Sequence, residues 1–325
     1  MRAVFSLPDV AWRSSGLMDL PILPMIFLRP CPGGFCRVLG LAAPGLKLLT
    51  DRLPPGDQSR AIAFYTASFS TGSAVSFLLV GQVHLWLGWE AAMISVIIGP
   101  PVSIAIILLA TSPKSLTAPR PWSQIFNYAP VLTNRFSMGY IIAYICHTWE
   151  LVTMRSFLLA FLVYAHTLTE APAWMDVATI TALAVFVGLP SSVLGNELSL
   201  KIGRQRAITL VMIFCLLFSF SIGFTANLPF VFVVAMALVY GFMITADSSS
   251  ITAGAVGSAP TELRGATMAV HSFLGFGGGM IGPVVAGIVL DRSGGTESTT
   301  AWGLMFISMG AITLVGPLAL RLTRK

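Results

Sequence analysis

Between Tyr140 and Arg155, in a run otherwise dominated by Ile, Ala, Leu, Val and Met, the chain carries Tyr140, Tyr144, His147, Thr148, Glu150 and Arg155. At about 100° per residue, with His147 as zero, Tyr140 falls near 20°, Tyr144 near 60°, Arg155 near 80°, Thr148 near 100° and Glu150 near 300°. All lie within an arc of about 160°, and Ile141, Ile142, Ile145, Trp149 and Val152 take the opposite face. Three chemistries suit such a stripe. Glu150 can take up and release a proton. Arg155 can hold an anionic group, since its planar fork matches two oxygens. Alternatively Glu150, His147 and Arg155 form a network that only orders its surroundings. In an apolar setting, a charged side chain facing hydrocarbon costs about 2.5–3.5 kcal/mol. Both Glu150 and Arg155 are therefore expected to point inward.

A second polar stretch, Thr245 to Thr252, contains Asp247 and three serines. Asp247 either shares the interior with the first stripe or pairs with Arg204 or Arg206 as a gate. Arg37 would face the same interior if its segment crosses. His271 and Ser272 read as a packed polar pair. A hydrolase built on them is disfavoured, because adjacent residues do not share a helical face. No His-Glu-x-x-His, Cys-x-x-Cys or phosphate-cradling glycine loop with Lys occurs, so neither an enzyme nor a cofactor or metal is expected. Cys31, Cys36, Cys146 and Cys215 show no paired metal spacing and read as small apolar residues.

Apolar residues make up 55% of the chain and charged ones only 10%, against about 25% charged in a soluble domain. Too few charges are present to cover a surface facing water. A helix needs about 20 apolar residues to cross a bilayer, and lipid leaves backbone groups no partner outside the chain. The pattern predicts an all-α polytopic membrane protein with about nine spans, near 33–50, 61–86, 89–111, 137–165, 174–195, 207–226, 229–256, 265–290 and 301–320. Lys47, Arg52, Arg60, Lys114, Arg120, Arg135, Lys201, Arg204, Arg206, Arg264, Arg321, Arg324 and Lys325 then fall on one side, and the opposite loops hold only Arg292. Excess Lys and Arg mark the cytoplasmic side, which puts the C-terminus there. The net charge of +6 is explained by this bias and calls for no nucleic acid. The expected partners are the lipid bilayer and a small-molecule substrate; the oligomeric state is not legible.

An internal echo is visible. Arg60-Ala61 opens a span after Pro54-Pro55-Gly56-Asp57, and Arg264-Gly265 does so after Pro260-Thr261-Glu262. Trp89 and Trp302 follow the respective outer loops, at offsets of 204 to 213 residues. Parallel repeats of this kind are a transporter signature. The division expected is an irregular segment 1–32, a remnant of a first helical half over 33–111, a linking loop 112–136 and a complete six-helix half over 137–325.

On Gly81 to Trp89, Pro260 to Gly265, the stretch Gly277 to Gly287, and Asp291 to Gly294 with Ala301-Trp302, the sequence resembles the major facilitator superfamily. The resemblance covers about 33–325 and matches helices four to twelve of twelve, as if the front end were truncated. It implies alternating-access transport of a small solute, with helix seven, here the span containing Glu150, lining the cavity. Tyr144, His147, Glu150, Arg155, Asp247 and Arg37 are the cavity candidates. The family's loop motif has its echo at Asn196 to Arg206, where Gly203 and Arg204 match. Asn196 stands in place of Gly and Leu200 in place of Asp, with Glu197 as a substitute acid. Glu197, Gly203, Arg204, Arg206 and Arg264 are the gating candidates. The Gly-x-x-x-Gly-Pro pattern at Gly278 to Pro283 is expected to serve close packing. The transported solute would be an organic anion moved with protons; the alternative is an inactive or regulatory fragment of such a transporter.

Overall fold

The computed structural model describes Leu46, Leu49 and residues 58–110, 128–172 and 174–323. Every regular element among them is helical. The helices are α1 (Gln58–Ser95), α2 (Gly99–Ala110), α3 (Ala129–Leu132), α4 (Arg135–Leu168), α5 (Val177–Phe186), α6 (Gly188–Ile202), α7 (Arg204–Ile222), α8 (Phe230–Met243), α9 (Ser248–Ser258), α10 (Arg264–Arg292), α11 (Thr299–Ala311) and α12 (Val315–Leu322). Several continue one another, giving seven membrane-length apolar runs among the described residues. Six of the seven lie between Arg135 and Leu322.

The breaks refine the expected spans. Spans 61–86 and 89–111 arrive as one helical run over Gln58–Ile106, kinked at Gly88, whose φ of 83° a side chain would resist. The span expected at 33–50 lies outside the described residues apart from Leu46 and Leu49. The loop expected from residue 196 shrinks to Gly203: α6 continues to Ile202 and α7 starts at Arg204, because Gly203 at φ 92° turns the chain alone. The span expected over 229–256 is interrupted at residues 244–247, between α8 and α9.

The helix starts are specified locally. Asn134 accepts from the N–H groups of Phe136 and Ser137, Asp176 from those of Ala178 and Thr179, and Ser298 from that of Ala301. Each answers donors that a first turn leaves open.

Helix α4 is central, packing on α5, α8, α9, α10, α11 and α12. Its broadest contact is with α10, through glycines. A Cβ on Gly278 would come 2.8 Å from the Ile145 carbonyl oxygen, and one on Gly282 would come 2.9 Å from that of Trp149. The glycine stretch thus lets two backbones approach, as its sequence suggested. It also covers the face of α4 made by Ile145, Trp149 and Val152. At the far end of α4, fully buried Trp302 packs against Phe157, Phe161 and Phe306 and donates to the Thr296 carbonyl at 2.9 Å. The apolar back and aromatic end of α4 are thereby filled, and its polar stripe turns toward α8, α9 and α1 and, at Tyr144 and Thr148, toward α10.

Candidate functional site

One turn of α4 meets the interrupted pair α8–α9 at two points. The Tyr240 hydroxyl on α8 donates to Glu150 Oε1 at 2.6 Å. Beyond the interruption, Asp247 Oδ1 lies 2.9 Å from His147 Nδ1. That approach is a close polar contact rather than a well-formed hydrogen bond, and Oδ1 has no hydrogen-bond donor among the described residues. All four side chains are buried. Asp247 immediately precedes α9, where an Asp ordinarily caps the helix, yet its side chain makes no cap bond. The sequence left Asp247 between the interior and a gate with Arg204 or Arg206. In this structure its close polar neighbour is His147 rather than either arginine. Arg204 instead donates to the Ser250 carbonyl at 3.3 Å and to Ser59 Oγ at 3.2 Å, and Arg206 is exposed.

Tyr144 extends the cluster. Its ring stacks on His271 with centroids 3.8 Å apart and lies 5.8 Å from the His147 ring. The unexpected member is His271, whose imidazole also sits 3.4 Å from Thr252 Oγ1. His147 Nε2 and His271 Nδ1 are buried without hydrogen-bond partners.

Arg155 points away from this cluster toward α1. Its Nη2 donates to Ser70 Oγ at 3.0 Å and its Nη1 to Ser73 Oγ at 3.4 Å. The guanidinium lies 5.2 Å from the Phe69 ring centroid. Among the described residues no carboxylate pairs with it. Both charged groups of the stripe are therefore turned inward, though to different neighbours.

A polar seam continues along α1. Thr66 and Ser192 hydroxyls are 2.9 Å apart. Ser59 donates to Asn196 Oδ1 at 2.8 Å. Arg60 grips Glu197 with both prongs, Nε to Oε1 at 2.8 Å and Nη2 to Oε2 at 3.1 Å. Asn196 and Glu197, which differ from the familiar loop pattern, thus both contact α1, and Gly203 supplies the turn that brings Arg204 beside Ser59. Arg264 starts α10 with its Nε buried and unbonded. Arg37 lies outside the described residues.

Sequence reasoning overlooked Tyr240, Ser70, Ser73 and the pairing role of Arg60. Tyr240 is one polar tip in an apolar run. The serines recur at helical spacing with Ser59 and Thr66, a pattern that marks a shared face. Among the described residues no group of three or more His, Cys, Asp or Glu is placed to hold a metal. The arrangement can exchange a proton at a buried carboxylate, offer a fixed cation to an anion, and join α1 to the six-run unit through separable polar contacts. In comparison with known proteins, the model of the Major Facilitator Superfamily matches residues 20–283, well over half of the chain. No curated protein matches it.

Proposed function

The chain belongs to the Major Facilitator Superfamily, and on that premise we propose that it carries a small organic anion across the cell membrane together with protons. It is an integral membrane protein of the secondary-transporter kind. The anion reading is carried by Arg155, a cation that meets only neutral hydroxyls and a ring face among the described residues. A fixed positive charge of this kind is costly in an apolar interior unless a counter-charge visits. Glu150 is the proton carrier in this reading, because it is buried on the same helix and held by a neutral phenol rather than a cation.

Alternating access then moves the helices over 33–111 against those over 137–325, with 112–136 as the link. The seam of Arg60–Glu197 and Ser59–Asn196 parts and re-forms at one end. The excess of Lys and Arg in the loops at that end supports a cytoplasmic placement for it and for the C-terminus.

The test is uptake into proteoliposomes under an imposed proton gradient, with pyruvate, choline and glucose as anionic, cationic and neutral probes. Pyruvate alone is expected to accumulate, and Glu150→Gln is expected to abolish the gradient dependence while insertion stays intact. Accumulation of choline or glucose instead would reject the anion, and an unaltered Glu150→Gln would return that residue to a structural role.

A further inference from the structure

Three helices converge on the hydroxyl of Ser70, a side chain only 3% exposed. From α4, Arg155 Nη2 donates to it at 3.0 Å. From α6, the backbone at Gly188 comes so close that an added Cβ would lie 2.7 Å from Ser70 Oγ and 3.0 Å from Thr245 Oγ1. Thr245 itself stands in the interruption between α8 and α9. Ser73, three residues further along α1, presents its oxygen to Arg155 Nη1 at 3.4 Å while giving its proton to the Phe69 carbonyl. Ser70 accepts from Arg155, and among the described residues nothing accepts from Ser70. A buried hydroxyl proton with no acceptor, beside a guanidinium with no counter-charge, leaves donors and charge unanswered at one point. Unmet buried donors of this kind are uncommon.

We propose that Arg155 and Ser70 form the binding site for the carboxylate of a monocarboxylic solute, with Ser73 orienting the guanidinium and Phe69 beside the solute's apolar body. The proposal rests on the transport reading above and gives it a substrate class. Two oxygens in one plane match the guanidinium fork, which here directs Nη1 and Nη2 to neighbouring hydroxyls. One positive charge balances one negative charge; a dianion would bring a second into an apolar surround where, among the described residues, no further cation contacts Ser70 or Ser73. The two Arg155–serine bonds hold the guanidinium in place until the carboxylate replaces them. Helix α1 thus supplies a donor to the site as well as contacts along the seam, and Gly188 is the residue whose missing side chain lets α6 pack directly against Ser70.

The experiment measures equilibrium binding to the purified full chain in lipid nanodiscs, by calorimetry. The probes are pyruvate and benzoate as monocarboxylates, benzamide as the neutral analogue and inorganic phosphate. Both monocarboxylates are expected to bind, benzamide not at all, and phosphate at least about tenfold more weakly. Ser70→Ala should weaken benzoate about 10- to 100-fold, the range for a hydrogen bond to a charged group. Arg155→Lys, which keeps the charge and loses the fork, should weaken it by at least about tenfold. Ser103→Ala should leave binding unchanged, because Ser103 is exposed and bonds only within its own helix. Thermal unfolding of each variant checks that it folds, and the probe series on the unaltered chain stands even if one does not. The proposal is overturned if neither monocarboxylate binds, if phosphate binds more tightly, or if Ser70→Ala and Arg155→Lys both bind as the unaltered chain does. In the last case, pyruvate that still accumulates under a proton gradient would leave the transport reading standing and remove only this site. Loss of both binding and accumulation would remove both.

Discussion

A carboxylate as enclosed as Glu150 needs its oxygens answered from within the protein, and Tyr240 answers Oε1. Tyr240→Phe removes the donor and leaves the acceptor buried. The expected cost is about 1–3 kcal/mol, seen as a fall in thermal midpoint of about 2–4 °C per kcal/mol in a chain of this size. Glu150→Gln keeps an oxygen for the Tyr240 hydroxyl, so its midpoint should fall by less than that of Tyr240→Phe. A larger fall for Glu150→Gln would show that the negative charge itself holds the helices together. The stripe of α4 was legible because ionisable residues in an apolar run stand out and helical angles group them. Tyr240 was not, because a single phenol among Val, Phe and Met carries no periodic signal. The Asp247–His147 contact was not legible either. Sequence supplied two arginines of the right sign for Asp247, and the packing of α9 against α4 chose a histidine instead.

The interruption between α8 and α9 gives this part of the molecule two attachments to α4, Tyr240–Glu150 before it and Asp247–His147 after it. On the other side, Ser191 donates to the Phe242 carbonyl, and Ser249 donates to that of Ser192 at 2.7 Å. A Cβ on Gly195 would run into the Ala246 carbonyl oxygen, so α6 also lies directly against the interruption. Its position was hidden in the sequence because residues 244–247 contain neither Pro nor Gly; tertiary contacts hold the turn. Removing one member of the buried His147–Asp247 pair strands the other. His147→Ala and Asp247→Ala are each expected to lower stability, and the double variant should lose less than the sum, with a coupling of about 0.5–3 kcal/mol by thermal unfolding. Strict additivity would mean that the contact contributes nothing. At the start of α5 the account is simpler. The Thr179 side chain, with the N–H groups of Thr179 and Ala178, holds the Asp176 carboxyl below its ordinary range. A lowered folded value means stabilisation present above the unfolded pKa of about 3.9 and lost as pH falls through the folded one. Asp176→Ala should therefore cost about 0.5–1 kcal/mol near pH 7, as for an exposed cap. The difference from the unaltered chain should shrink below about pH 4, and a difference that stays constant down to pH 2 would contradict the charged cap.

Across the whole molecule, α1 is the outlier. Only 6% of the most apolar stretch of the run Gln58–Ile106, which α1 opens, is buried, against 39–50% in the other six runs. Its attachment among the described residues runs along one face, onto α5, α6 and α9, and much of the rest is apolar surface suited to hydrocarbon. Any motion of α1 relative to the six-run unit must therefore work on that face. The contacts there are of a strength that can be exchanged. The Arg60–Glu197 pair is well exposed, a class worth about 0–1 kcal/mol, and each neutral hydrogen bond adds about 0.5–1.5 kcal/mol net. A sum of a few kcal/mol is the size of bias that a bound solute or proton can supply to a two-state equilibrium. Were the seam a permanent weld, closing it covalently would cost no activity. Ser59→Cys with Asn196→Cys places thiols on two side chains now 2.8 Å apart. The background carries Cys31→Ser and Cys36→Ser and keeps Cys146 and Cys215, which are buried. A short, membrane-impermeant bis-maleimide, which adds to each thiol to form a thioether, should join the pair only when added from the cytoplasmic side. The joined protein should stop accumulating pyruvate in proteoliposomes, whereas either single cysteine treated in the same way should not. Joining from the opposite side would reverse the proposed orientation. Full transport by the joined protein would mean that α1 and α6 move as one body, with the alternating motion elsewhere.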